Sequence, residues 1–380
     1  MAAVHGTCDP KFAELPGILS ASLDSGADLG ASISVVLDDQ CVVDLWGGWA
    51  DEAHTTPWTE DTVVNVWSTT KTMVALSALL MIERGAIDPF APVATYWPEF
   101  AANGKEGVEV RHLLAHTSGV AGWDQPMTNE VMYDWDESVA RLAAQAPWWT
   151  PGEGSGYHVL NYGHLIGEVI RRVDGRGLKQ FVAEELAEAF GADFQIGLRD
   201  EDLGRVSNVT PPPPWAVDLT QIDPSIIAVR ALTGPLLDAD AANSVGWRHA
   251  DVGGANGHSN ARAVARIQSI VGNDGVLDGR TILSRDTLDL IFQEQARGPD
   301  QVLFMPLRFG IGYGLSEPAT WPYLPDDGGV CFWGGYGGSM IVMDRNRKLT
   351  VAYMMNKMHA DVVGGPRSRA ILESVFSALA

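Results

Sequence analysis

Strand-like segments lie at both ends of the chain, and mostly helical segments lie between them. Residues 32–46 predict a hairpin, because two runs rich in Val, Ile and Leu flank the turn Asp38-Asp39-Gln40. Residues 339–354 predict two more strands, and apolar spacing from residue 110 to about residue 200 is mostly helical. Because strands remote in sequence can share one sheet, this order predicts an α+β fold in which both ends of the chain build one domain.

We expect two domains that differ in secondary structure. Residues 1–75 and 245–380 are predicted to form a mixed domain, with an antiparallel sheet flanked by helices. Residues 76–244 are predicted to form a mainly α-helical domain with long loops, which is the all-α part of the expected fold class. Residues 208–252, which run across its C-terminal boundary, include a run of four prolines before Trp215 and show little periodicity, which predicts irregular connections.

The charge balance argues against several partners. The chain has 26 Lys and Arg against 48 Asp and Glu, a net charge of −22, and no basic run that could follow a phosphate backbone. No apolar stretch reaches the ~18 residues that a spanning helix needs, and the N-terminus lacks a signal-peptide pattern. We therefore expect a cytoplasmic protein that binds neither nucleic acid nor a membrane. Whether it forms a homo-oligomer cannot be read from the sequence.

The cysteines and histidines do not predict a metal site. Cys8, Cys41 and Cys331 are odd in number and far apart, which suits a reducing compartment. His112 and His116 have helical i,i+4 spacing, but the sequence identifies no third ligand, so we expect them to be structural. Residues 310–314 lack the helix and distal acid of a nucleotide loop, so no cofactor is expected. Residues 257–261, a near match to a hydrolase elbow, are interpreted as a helix cap without a buried strand before it.

A Ser-x-x-Lys pattern opens the long apolar run at residues 73–82. In a helix, Ser68 and Lys71 lie one turn apart on the same face, so the amine can reach the hydroxyl. A serine needs such a base to become a nucleophile, and the first-turn N–H groups of the helix are placed to bind an oxyanion. Taken alone, the pattern more often reflects a serine N-cap followed by a solvated lysine.

Two later segments supply the partners that this chemistry needs. Tyr157 lies in a Gly-rich loop before a predicted helix and could act as general acid or base, with its pKa lowered by the ammonium of Lys71. The alternative is a tyrosine that only packs on the loop. Near the C-terminus a strand is predicted to end in a Gly-rich turn that could supply a second oxyanion donor, or could be only a bulged turn. The residues concerned are Trp333, Gly334, Gly335, Tyr336 and Gly337.

Together these motifs resemble the serine β-lactamase and penicillin-binding-protein superfamily, specifically its class C-like branch. Supporting stretches are residues 111–119, 163–170 and 257–262, so that the resemblance runs from residue 30 to the end. It implies a class C β-lactamase-like fold. It also implies that Ser68 forms an acyl-enzyme, and that Lys71 and Tyr157 share the proton transfers. The N–H of Ser68 and that of Tyr336 or Gly337 would hold the oxyanion.

The departures from the lactamase pattern change the expected substrate. His158-Val159 follows Tyr157 where class C lactamases have x-Asn, and Trp333-Gly334-Gly335 replaces Lys-Thr-Gly. An indole in place of a cation removes a contact with an anionic substrate and adds an apolar wall. This pattern resembles the family VIII carboxylesterases, which implies a small-molecule ester as substrate.

Other functions remain open from the sequence. The same residues would serve an acyltransferase, and a D-peptidase, a weak β-lactamase or a non-catalytic binding module on this fold are further alternatives. One or two of the loop tryptophans are expected to line the substrate cleft. The candidates are Trp123, Trp135, Trp148, Trp149, Trp215 and Trp321.

Overall fold

The fold is described from a computed structural model, which describes residues 2–214 and 218–380. Trp215 therefore lies outside the described residues. The strands are β1 (Val4–Cys8), β2 (Gly30–Leu37), β3 (Gln40–Gly48), β4 (Val63–Trp67), β5 (Phe194–Ile196), β6 (Val206–Ser207), β7 (Gly257–Ser259), β8 (Val276–Leu277), β9 (Arg280–Thr281), β10 (Ala296–Pro299), β11 (Pro306–Phe309), β12 (Gly314–Leu315), β13 (Val330–Gly334), β14 (Met340–Asp344) and β15 (Leu349–Met355).

The helices are α1 (Leu15–Asp24), α2 (Thr70–Glu83), α3 (Val110–Leu114), α4 (Asn129–Tyr133), α5 (Trp135–Ala144), α6 (Tyr162–Asp174), α7 (Leu178–Val182), α8 (Ile227–Thr233), α9 (Val245–His249), α10 (Ala261–Gly272), α11 (Arg285–Ile291) and α12 (Pro366–Leu379). A π-helical turn, Ala183–Glu188, continues α7. Short 3₁₀ helices lie at Pro10–Phe12, Val93–Thr95, Pro98–Gly104, Asp200–Arg205, Leu219–Gln221 and Asp240–Asn243.

One antiparallel sheet joins the two ends of the chain, which confirms the predicted α+β class. Its strand order is β1-β3-β2-β15-β14-β13-β12-β11-β10. Within it, the N-terminal strand β2 pairs with the C-terminal strand β15, and Val35 faces Val351 across them. Ile33 and Tyr353 face α1 and α12, whereas Thr350 lies against α10 on the other face. Helices cover both faces of the central strands, which explains why these strands are apolar almost throughout.

A smaller sheet carries the candidate nucleophile. β4 pairs in parallel with β6 and antiparallel with β7, which in turn pairs with β5. β5 and β6 come from the segment predicted to be mainly α-helical, so the all-α description in the expected fold class does not hold for these short strands. We expected no buried strand before the helix at residues 257–261. That expectation was wrong, because the buried strand β7 directly precedes α10. The cap itself is present, because Asn260 accepts a hydrogen bond from the Ala263 N–H.

Helix α2 follows directly from β4 and lies in the interior of the protein. Every residue from Thr70 to Met81 is buried, so the helix is enclosed on all sides. The predicted helix at this position is confirmed. The predicted boundaries between the two domains stay a prediction.

Candidate active site

Ser68 lies in the tight connection between β4 and α2. The preceding residue, Trp67, has a left-handed backbone with φ of 50°, an uncommon conformation for a bulky residue that marks the sharp turn out of the strand. Ser68 is followed by one helical turn, closed by a hydrogen bond from the Lys71 N–H to the Ser68 carbonyl. The Nζ of Lys71 lies 3.1 Å from the Ser68 Oγ, as the spacing predicts. Lys71 is only 2% exposed, so the alternative of a solvated lysine is wrong.

The surroundings of Lys71 favour its neutral form. Its Nζ donates to the carbonyls of Val159 and Gly254, each at 2.7 Å. Burial lowers the pKa of Lys71 well below its usual value, because the interior solvates an ammonium poorly. A neutral amine has two N–H groups and one lone pair. In the neutral form, with both N–H groups engaged by the two carbonyls, the lone pair is the part of Lys71 left to face Ser68 and accept its proton.

Tyr157 completes a compact polar group with Ser68 and Lys71. The Lys71 Nζ lies 4.6 Å from the centre of the Tyr157 ring, and the Tyr157 oxygen accepts a hydrogen bond from Trp333 Nε1 at 3.0 Å. Burial raises the pKa of Tyr157, and hydrogen bonds with Ser68 and Trp333 offset this rise only in part. The expectation of a lowered pKa was wrong, because desolvation of the phenolate outweighs these bonds. Tyr157 is therefore a phenol that can donate a proton.

Two buried histidines hold the loop that carries Tyr157. The His116 Nδ1 accepts the N–H of His158, and the His116 carbonyl accepts the N–H of Gly156. Burial lowers the pKa of His158 to about 3 and that of His116 well below its usual value, so both rings are neutral. Because a carbonyl can only accept, His158 Nδ1–H donates to Gly156, and Nε2 accepts from the Ser118 hydroxyl at 2.7 Å. His112 accepts the Glu109 N–H at the start of α3. Both predicted histidines thus have structural contacts.

The Gly-rich turn after β13 packs directly against the Ser68 segment. A Cβ on Gly335 would lie 2.5 Å from the Val66 carbonyl oxygen, so only glycine permits this approach. The N–H of Gly335 donates to Ser339, and that of Gly337 donates to Asp361. Tyr336 lies between these two glycines, and its ring packs edge-on against Trp67 with centroids 5.6 Å apart. The turn thus brings Tyr336 beside the nucleophile.

An apolar cavity of about 150 Å³ opens onto Ser68 and Tyr157. None of the described residues that line it carries an ionised side chain. The remaining lining residues are Trp67, Val159, Leu160, Leu232, Leu237, Ala255, Val302, Leu303, Tyr336 and Val362. Hydrophobic patterning did not single out the lining residues from α8 and from the loops around residues 302 and 362, because they come from short or irregular segments.

The loop tryptophans do not form the cavity wall as expected. None of the five that the structure describes lines it, and the indole that does is Trp67. Trp123 donates instead to the Ser138 carbonyl, Trp135 to Glu168 and Trp321 to the Val363 carbonyl. These side chains are therefore part of the packing around the helices and the sheet.

Within the described residues, no group of three or more His, Cys, Asp and Glu side chains could hold a metal ion. Across the same residues, no helix is both long and apolar enough to cross a bilayer.

Comparisons with known proteins agree with this geometry. A sequence model of the β-lactamase family matches residues 17–376. An esterase/β-lactamase of Mycobacterium tuberculosis, LipL, is 32% identical, over 95% of this chain and 84% of its own. Esterase EstB of Burkholderia gladioli is 28% identical, over 96% of this chain and 95% of its own. A crystal structure of a family VIII carboxylesterase is 35% identical with a TM-score of 0.92, and the match covers 99% of this chain and 100% of that one.

Proposed function

The chain belongs to the β-lactamase family, and from this premise we propose that it is a serine carboxylesterase with Ser68 as nucleophile. The observation that carries the proposal is the Lys71 amine, which is buried, donates to two carbonyls and lies 3.1 Å from the Ser68 hydroxyl. That arrangement supports a base that can take the serine proton at a pH well below the ordinary pKa of a lysine. The esterases among the similar proteins support an ester as substrate.

In acylation, the Ser68 oxygen attacks the ester carbonyl and its proton passes to the Lys71 nitrogen. We assign the developing oxyanion to the N–H groups of Ser68 and Tyr336, because the turn after β13 places Tyr336 against Trp67 and beside Ser68 at the cavity. The intermediate then collapses: the bond to the alcohol oxygen breaks, and that oxygen leaves with a proton. The Tyr157 hydroxyl is suited to deliver this proton, since burial keeps it protonated and Trp333 donates to its oxygen. The Lys71 ammonium then passes the serine proton to Tyr157, so that both groups return to their starting states.

In deacylation, water attacks the acyl carbon and loses a proton to the Lys71 nitrogen, which then returns that proton to the departing serine oxygen. The bond to Ser68 breaks, the carboxylic acid leaves and the serine oxygen recovers its proton. All of these steps use groups of the chain, the ester and water. No cofactor takes part in them.

The cavity supports an ester rather than a β-lactam drug. β-Lactam drugs carry a carboxylate, and the described lining offers no cation to receive it. At the position of the lactamase lysine, the Trp333 indole is buried and donates to Tyr157. We further propose a reducing compartment such as the cytoplasm, which is supported by three unpaired cysteines.

The test is a panel of p-nitrophenyl esters and a chromogenic β-lactam, with Ser68→Ala as the control. We expect ester turnover at least ~10³-fold above Ser68→Ala, and little or no β-lactam turnover. Intact mass should detect an acyl or phosphonyl adduct on the wild-type protein only. An added alcohol that yields a new ester would indicate acyl transfer. Failure to turn over or be labelled by any of these compounds would contradict the proposal and favour a binding module.

A further inference from the structure

Asp300 is a buried carboxylate that the mechanism does not use. It lies in the loop between β10 and β11 and is 1% exposed. No Lys, Arg or His of the described chain forms an ion pair with it. Its charge is stabilised instead by hydrogen bonds, which is the requirement for burying a carboxylate without a cation.

The four hydrogen bonds of the Asp300 carboxylate divide into two pairs. Oδ2 accepts from the Ser155 hydroxyl at 2.8 Å, and Oδ1 accepts from the Tyr157 N–H at 3.1 Å. Oδ1 also accepts the N–H groups of Val302 and Leu303, each at 2.9 Å. The first pair holds the loop of the proton donor. The second pair folds the loop whose Val302 and Leu303 line the cavity.

A turn-stabilising role alone would not account for this arrangement. An aspartate that caps its own turn needs only the two local N–H groups. Here the other two bonds cross more than 140 residues of sequence to reach Ser155 and Tyr157. A backbone hydrogen bond from Gln301 to the Ser155 carbonyl, at 2.9 Å, joins the same two loops. The carboxylate thus fixes both loops relative to each other.

We propose that Asp300 is a positioning residue with two effects. It fixes the position of the Tyr157 hydroxyl relative to Ser68, and through Val302 and Leu303 it determines the space for the substrate's acyl group. The inference rests on the proposed function. Removal of Asp300 should therefore change the reactivity of Ser68 and the preference for acyl length together. A displacement of ~1 Å at a reacting group can cost ~10²-fold in rate.

The test is labelling of Ser68 by p-nitrophenyl alkylphosphonates of increasing alkyl length, followed by intact mass on the full chain. The Ser68 oxygen forms a bond to phosphorus as its proton passes to Lys71. The bond to the p-nitrophenyl oxygen breaks, and that oxygen leaves as p-nitrophenol with the Tyr157 proton, which the Lys71 ammonium then replaces. We expect Asp300→Ala to lower the labelling rate ~10²-fold and to flatten the dependence on alkyl length. Asp300→Asn should retain most of the labelling rate and most of the dependence on alkyl length, because an amide oxygen still accepts the three N–H groups.

Two further variants separate the two pairs of bonds. Ser155→Ala removes only a bond to the tyrosine loop, so we expect a ~3- to 10-fold lower rate with unchanged length dependence. In a Tyr157→Phe background, Asp300→Ala should lower the labelling rate little further, because Asp300 affects the rate through Tyr157. It should still flatten the dependence on alkyl length, because that effect does not involve Tyr157. The control is Asp344→Asn. This buried aspartate accepts the N–H groups of Asn346 and Arg347 in the turn after β14, and the substitution should leave labelling unchanged.

The outcomes are distinguishable. If wild-type protein is not labelled, the proposed function fails, and the role of Asp300 fails with it. If wild-type protein is labelled but folded Asp300→Ala matches it in rate and length dependence, only the role of Asp300 is overturned. Fully additive losses in the Tyr157→Phe background would also overturn it. Should Asp300→Ala fail to fold, a Ser155→Ala variant with the wild-type rate would overturn the positioning of Tyr157.

Discussion

Lys71 depends on its burial to act as a base. In the folded protein its pKa is lowered well below the ordinary 10.5, so protonation is less favourable than in the unfolded chain. Linkage then requires that its contribution to stability be fully present above 10.5 and be lost as the pH falls through the folded pKa. The same protonation removes the lone pair that faces Ser68. Protonation of Lys71 should therefore lower both the activity and the stability of the protein as the pH falls.

We expect kcat/KM for a neutral ester to rise with pH along a limb whose midpoint lies clearly below 10.5. The nearby histidines cannot produce this limb near neutral pH, because burial lowers the pKa of His158 to about 3 and holds that of His116 well below 6.5. Burial raises the pKa of Tyr157, which removes it from this range as well. A pH series from about pH 5 to about pH 10, with folding checked at each point, tests the assignment. A flat profile would contradict it.

Trp333 should matter through its N–H as well as its ring. Trp333→Phe keeps an aromatic ring but removes the donor to the Tyr157 oxygen. A buried hydrogen bond contributes about 1 kcal/mol, so we expect kcat to fall ~5- to 10-fold with little change in melting temperature. Trp321→Phe is the matched control, because that indole donates to the Val363 carbonyl away from Tyr157. Equal losses in both variants would point to packing instead.

The sequence predicted which polar side chains meet but not how the interior changes them. Ser68 and Lys71 are one turn apart, so local geometry alone brings them together. The sign of the Tyr157 pKa shift depends on how completely the phenol is desolvated, and no local pattern carries that information. Asp300 was missed for a related reason. It lies far from Tyr157 in sequence, and a lone Asp in a loop gives no signal of its partners.

The turn between β13 and β14 is positioned by glycine rather than by side-chain bonds alone. Gly335 lies against the Val66 carbonyl at the end of β4, where a Cβ would come within 2.5 Å. Ser339 Oγ also donates to the Val66 carbonyl at 3.0 Å. The strand that leads to the nucleophile and the turn with Tyr336 are therefore held as one unit.

Gly335→Ala should separate these two elements. The added methyl group must push the turn away from β4, which would move Tyr336 relative to Ser68. We expect a ~10²-fold loss of kcat/KM, larger than the change in stability accounts for. Gly204→Ala is the control, since a Cβ there meets nothing within 4 Å. Wild-type kinetics in a folded Gly335→Ala protein would show that the turn does not position the site.

Element length decided which parts of the fold could be predicted. The helices α5 and α6 show a clear helical period, whereas α2, β2 and β15 are long apolar runs that end at turn residues. The strands β5, β6 and β7 have two or three residues each, too few for any period to be visible. Their positions are fixed by pairing with β4 across the chain. Because β4 leads into Ser68, the least predictable sheet supports the nucleophile.

At the scale of the whole molecule, two electrostatic properties act against anionic substrates. The net charge of −22 repels anions over long distances, an effect that salt screens. The described lining of the cavity offers no cation at short range, an effect that salt does not screen. The two contributions can therefore be separated by ionic strength.

We expect a neutral ester to be hydrolysed with a higher kcat/KM than an ester of the same length that ends in a carboxylate. Raising the salt from about 10 mM to about 500 mM shortens the screening length from ~30 Å to a few ångströms, which should remove the long-range repulsion. The difference in kcat/KM between the two substrates should then become smaller but not disappear, because the carboxylate of the bound substrate still lacks a cationic partner in the cavity. Stopped-flow measurement of both esters across this salt series tests it. Complete closure of the gap would mean that surface charge alone, and not the apolar cavity, selects the substrate.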